Sequence, residues 1–112
     1  MTFFVFEPDQ LVREDICEAL AAEFGADVVV VVDTLDACAG QAEAARNASI
    51  AVLSLTGEQL GQSMESVSAL LESVKVVIIG NRPPKDELFS LPISFVQRPF
   101  SSEQLISVIR DA

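Results

Sequence analysis

Short apolar runs and amphipathic stretches take turns along this chain. Phe3-Phe4-Val5-Phe6 is an unbroken apolar run of strand length. Its continuity suits a strand buried on both faces. Asp9 is then placed to cap a helix in which Val12, Ile16 and Leu20 recur four apart. Leu11 and Phe24 stand beside them, so one face of that helix is apolar. Gly25 supplies the stop. Val28 to Val32 is a run of valines between Asp27 and Asp33. β-Branched residues with no polar break predict a central parallel strand covered on both faces. The stretch from Thr34 to Ala48 is Ala-rich, with Leu35, Cys38, Ala42 and Ala45 on one face. Small residues there would let a helix sit close to a sheet.

The second half repeats the scheme. Ile50-Ala51-Val52-Leu53 reads as a third strand. Thr56 and Gln59 have capping-box spacing, and Leu60, Met64, Val67 and Leu71 follow at helical intervals. Val76 to Ile79 is a fourth strand, Asn81-Arg82-Pro83-Pro84 a turn, and Pro84 opens a short helix to about Ser90. Ile93-Ser94-Phe95-Val96 alternates apolar and polar, as an edge strand does. Ser101 and Gln104 repeat the capping-box spacing, and Leu105, Ile106 and Ile109 face a core. Strand and helix alternate throughout, which predicts a parallel sheet with helices on both faces, joined by right-handed crossovers. With no linker, repeat or low-complexity segment, residues 1–112 read as one domain with no attached output domain.

Charge narrows the class of partner. The formal net charge is -10, from 17 acidic against 7 basic residues. Such a surface repels phosphate backbones, so nucleic acid is not an expected partner. Solubility alone also accounts for the charge. No apolar run approaches the length of a membrane helix, so no membrane partner is expected. The N-terminus lacks a basic segment leading into a signal-like run, and the expected location is cytoplasmic. Cys17 and Cys38 fall on the apolar stripes of two helices and read as free, buried thiols. With two Cys and no His, a zinc site lacks good ligands.

In open α/β sheets ligands bind beyond the carboxyl ends of the strands. Those ends fall at Glu7 to Asp9, Asp33-Thr34, Ser54 to Gly57, Gly80 to Arg82, and Gln97 to Pro99. The first loop, Phe6-Glu7-Pro8-Asp9-Gln10, has no glycine and two carboxylates. A phosphate cradle needs bare backbone N–H groups, so this loop disfavours a nucleotide. Acidic side chains there suit a divalent cation better.

Gln97-Arg98-Pro99-Phe100 follows the fifth strand and leads straight into a helix. With the acidic first loop and the element order, it resembles the response-regulator receiver domain. That family's Lys-Pro signature ends strand five. The resemblance implies a flavodoxin-like (βα)5 three-layer sandwich around a five-stranded parallel sheet. It also implies a site in which an acidic pair after strand one helps hold magnesium. An aspartate ending strand three accepts a phosphoryl group, a Ser or Thr ends strand four, and a Lys ends strand five. On this chain the acidic pair falls on Glu7 and Pro8, with Asp9 one residue away. The acceptor falls on Ser54, the hydroxyl position on Gly80 and the lysine on Arg98. Phe95 falls where the family often has a switching aromatic.

These departures remove the chemistry. A serine hydroxyl is a weak nucleophile without an adjacent base, and the chain has no histidine. Pro8 offers no ligand, and magnesium with one or two carboxylates would keep mostly water. Gly80 has no hydroxyl to give. Arg98 keeps a charge but not the compact ammonium. The expectation is a degenerate phosphorylation site (Glu7, Pro8, Asp9, Ser54, Gly80, Arg98) with no catalysis, metal or cofactor. Arg98 is expected either to pair with Glu7 or Asp9 in place of the metal, or to stand solvated. By resemblance, a signalling partner or a second copy would dock on Phe95, Arg98, Pro99, Phe100 and the last helix. Ordinary core packing is the competing reading of Phe95. Two alternatives stay open. One is phosphorylation on another acceptor such as Asp9 or Asp33. The other is a small-ligand binder of flavodoxin-like fold.

Overall fold

A computed structural model describes residues 2–25, 28–32, 47–55, 74–81, 93–98 and 100–111. The helices expected after the second, third and fourth strands fall almost entirely outside the described residues, as do Asp33, Cys38 and Pro99.

Strands β1 (Thr2–Phe6), β2 (Val28–Val32), β3 (Ile50–Ser54), β4 (Lys75–Gly80) and β5 (Ile93–Gln97) form a single sheet. Its order is β2-β1-β3-β4-β5, and every adjacent pair is parallel. The register sets Phe6 beside Leu53 and Val32, Ser54 beside Ile79, and Gly80 beside Gln97. The carboxyl ends of β1, β3, β4 and β5 therefore lie side by side.

One position in the sheet corrects the sequence reading. The valine run predicts a central strand, yet β2 is an edge strand, paired only with β1 among the described residues. Val31 is 43% exposed. An unbroken β-branched run reports a fit to a pleated surface, not a rank within the sheet. The central places go to β1, β3 and β4, whose apolar residues are buried on both faces. The alternating strand β5 is the other edge, as expected.

Two helices are described, α1 (Gln10–Phe24) and α2 (Ser102–Asp111). Both pack on the same face of the sheet. There Phe3, Val5, Val52, Val77, Ile79 and Val96 meet Ile16 and Leu20 of α1 and Leu105 and Ile109 of α2. Each of these larger side chains contributes about 1.5–3 kcal/mol on burial. Phe24 closes the far end of α1 with its ring 5.5 Å from that of Phe3. Arg110 lies over Phe24 and pairs with Glu23, which ties the two helices together. On the opposite face Phe4, Phe6, Ala51, Leu53 and Ile78 are equally shut off from solvent. The sheet is thus covered on both sides.

Local chemistry sets the helix ends. Asp9 Oδ1 accepts from the N–H groups of Leu11 and Val12 at 3.0 and 3.2 Å. At the other end Gly25 takes the left-handed conformation (φ 57°) and its N–H returns to the Ala21 carbonyl. The Ser101 N–H donates to Gln104 Oε1 at 2.8 Å and the Gln104 N–H to Ser101 Oγ at 3.1 Å, a reciprocal capping box.

Candidate functional site

Strand β1 lies between β2 and β3, so the connections turn in opposite directions on leaving it. A crevice forms at such a reversal, outside the carboxyl ends of the strands. The residues there are Glu7, which follows β1, and Ser54, which ends β3.

Glu7 is 1% exposed, an unusual place for a carboxylate. Its position in the alternation along β1 matches Phe3 and Val5, so its side chain starts from the face that carries α1 and α2. Oε2 accepts from Arg98 Nη2 at 2.7 Å, a short charge-assisted contact. Oε1 accepts from the Asp9 N–H at 3.1 Å. The Glu7 carbonyl accepts from Arg13 Nη1 at 3.0 Å. Every oxygen of this residue thus has a donor.

Arg98 is held from both ends. Its backbone N–H donates to the Gly80 carbonyl at 2.8 Å, prolonging the β4–β5 ladder past Gln97. Its side chain is one-third exposed. A cleft of about 420 Å3 opens beside it, with Val12, Ile16, Phe100 and Leu105 among its walls and Asp15 at its rim. Because β3 and β4 stand between β1 and β5, the Glu7–Arg98 contact spans the carboxyl ends of two strands.

The remaining site positions do different things. Pro8 is exposed, and Asp9 is exposed and occupied as the cap of α1. Ser54 is 3% exposed, and its Oγ has no hydrogen-bond partner among the described residues. Gly80 is buried against the ring of Phe95. Phe95 is half-buried, and Phe100 is half-buried and packs against the core. Pro99 lies outside the described residues. Of the degenerate-site residues, the fold joins Glu7, Asp9, Gly80 and Arg98 by direct hydrogen bonds.

Arg13 escaped the sequence reading. The one available signal is its position four residues after Asp9, where the first turn of α1 carries it back over the loop. Cys17 is half-buried on α1. Burial pushes its thiol pKa above the ordinary value, and the nearby Arg13 charge partly offsets the rise.

Known structures share this fold. The chain superposes on the pilus assembly protein CpaE from Caulobacter crescentus with a TM-score of 0.76 and 18% identity, over 98% of this chain and 97% of that one. It superposes on a signal receiver domain of a two-component histidine kinase from Clostridium thermocellum with a TM-score of 0.77 and 11% identity, over 98% and 94%. This chain has the receiver fold. The pseudo-receiver domain of CikA also matches, with a TM-score of 0.65 and 14% identity, over 98% and 94%. No protein-family model matches the sequence, and no curated protein does.

The receiver fold brings with it the expectation of a magnesium ion among the first-loop carboxylates and the β3 acceptor. The residues here do not fit that ion. Glu7 is committed to Arg98 and to a backbone N–H, Asp9 to its helix, and Ser54 offers a neutral hydroxyl. Among the described residues no three His, Cys, Asp or Glu side chains converge where they could hold a metal. Near-octahedral oxygen ligation has no basis in that set. No described helix is long and apolar enough to cross a membrane.

Proposed function

We propose that this chain is a receiver-like signalling module that works by protein–protein contact, in the cytoplasm, without aspartyl phosphorylation and without catalysis of its own. The observation that carries this reading is the engagement of Glu7. It is the acidic residue that the receiver pattern retains after β1. Its carboxylate is buried and taken up by Arg98 and the Asp9 N–H. Ser54, in the acceptor position, adds a buried hydroxyl that no base activates among the described residues. Two similar structures support the same direction, one a pseudo-receiver domain and the other a pilus assembly protein.

The contact surface in this reading is β5 with α2. The groove between them includes Phe95, Gln97, Gln104 and Val108 and has a volume of about 460 Å3. Phe95 is its anchor, while Arg98 lies beside the separate 420 Å3 cleft and is paired with Glu7. Phe100 serves the core instead, since its ring packs among α1 and α2. The partner is a signalling protein or a second copy of the chain.

The test is an amide NMR titration with magnesium, then with beryllofluoride as a phosphoryl mimic. The reading expects no saturable shifts at Glu7, Asp9, Ser54 or Gly80. Saturable shifts centred on those residues would mean a live phosphoryl site and would overturn it.

A further inference from the structure

The misfit between the fold's expected ion and this chain's residues has a specific form. A divalent cation in such a crevice would draw the loop after β1 toward the ends of the neighbouring strands. Here a side chain of the protein makes that link. Arg98 is fixed by its backbone N–H to the end of β4, and its guanidinium reaches Glu7 across two strands. The positive charge meets a carboxylate that is 1% exposed. A carboxylate so removed from water is costly unless a cation or proton accompanies it.

We propose that Arg98 is a tethered cation and that Glu7 is a latent cation site which the arginine keeps filled. This rests on the reading of a non-phosphorylated module and adds how the site holds its shape. Arg98 lines the 420 Å3 cleft and its guanidinium bonds Glu7, so taking the guanidinium away leaves that carboxylate without its counter-charge and opens space for a guanidinium-like cation from solution. The N–H of Asp9 would still hold one carboxylate oxygen in place.

The experiment is thermal unfolding of the unaltered chain and of Arg98→Ala, each with magnesium chloride or methylguanidinium chloride against sodium chloride of equal ionic strength. The unaltered chain is expected to be indifferent. Arg98→Ala is expected to melt lower and to regain roughly 5 °C when methylguanidinium reaches about ten times its dissociation constant, while magnesium, for which one carboxylate is too small a ligand set, should give no such gain. Arg98→Lys, which keeps a tethered charge, should stay indifferent. Glu7→Gln added to Arg98→Ala should abolish the response, because the anion that draws the cation is gone. If Arg98→Ala is unfolded without additive, circular dichroism follows its refolding, and methylguanidinium should restore the native signal.

The outcomes separate the two ideas. An Arg98→Ala variant that ignores methylguanidinium, or responds equally with Gln at residue 7, would sink the tethered-cation proposal alone. A magnesium-dependent gain in the unaltered chain would also sink the reading of a module without a live metal site.

Discussion

The ring of Phe95 occupies the space that a side chain on Gly80 would need. A Cβ at Gly80 would lie 3.2 Å from Phe95 Cε2 and 3.2 Å from the Leu55 carbonyl oxygen. The receiver pattern has a hydroxyl side chain at that point. This chain has an aromatic edge there instead, so a side chain at residue 80 would require the ring of Phe95 and the Leu55 carbonyl to give by a few tenths of an ångström.

Restoring the hydroxyl should therefore harm the fold. Gly80→Thr is expected to cost about 1–3 kcal/mol, because the Leu55 carbonyl is backbone, in a residue whose N–H is tied to the Ile79 carbonyl, and gives way less readily than a side chain. Gly80→Thr combined with Phe95→Ala should lose less than the two single changes summed. Urea unfolding of the four chains in a double-mutant cycle measures this. Strict additivity would show that the ring is not what the new side chain meets.

Ser54 invites the opposite change. Its buried Oγ has no partner among the described residues, so Ser54→Ala is expected to leave stability unchanged or to raise it by about 1 kcal/mol. Ser54→Asp, which restores the acceptor, should lower stability, because it adds a second carboxylate near the buried Glu7. Mass spectrometry with acetyl phosphate should find no phosphoryl adduct on either variant.

Asp9 distinguishes a cap from a metal ligand. Asp9→Ala should cost about 1 kcal/mol through loss of two N–H partners of α1, while Asp9→Asn should cost far less. Both losses should be the same with and without magnesium. A loss confined to magnesium-containing buffer would assign Asp9 to a metal.

Cys17 should react slowly. Its thiol is raised above the ordinary value of 9.0, chiefly by burial. Near pH 8 it therefore holds less thiolate than free cysteine. In a Cys38→Ser background, iodoacetamide alkylation should lag behind free cysteine at that pH. The rate should climb with a midpoint above 9.0. A midpoint below that value would mean Arg13 outweighs burial.

Periodicity located the five strands because four are short apolar runs and the fifth alternates apolar and polar, and it located both described helices because their caps are local. Asp9, Gly25 and the Ser101–Gln104 box act within a few residues, where spacing is readable. The edge position of β2 was not readable, since identical valines carry no mark of which neighbours they find. The Gly80–Phe95 contact left no trace either, because a glycine has no side chain to enter a pattern. The Glu7–Arg98 pair stood as one of two alternatives, and charge alone could not choose between them. Its partners are 91 residues apart and meet only once the strand order is fixed.

That separation has a consequence during synthesis. At about 5–20 residues per second, roughly 5–18 s pass between the making of Glu7 and the making of Arg98. Until then the carboxylate lacks its counter-charge and is better kept in water. The four apolar residues just before it are thereby discouraged from settling early. The last strand to be made completes the first one, and a nascent chain that closes on β1 too soon does so against an ion it has not yet neutralised.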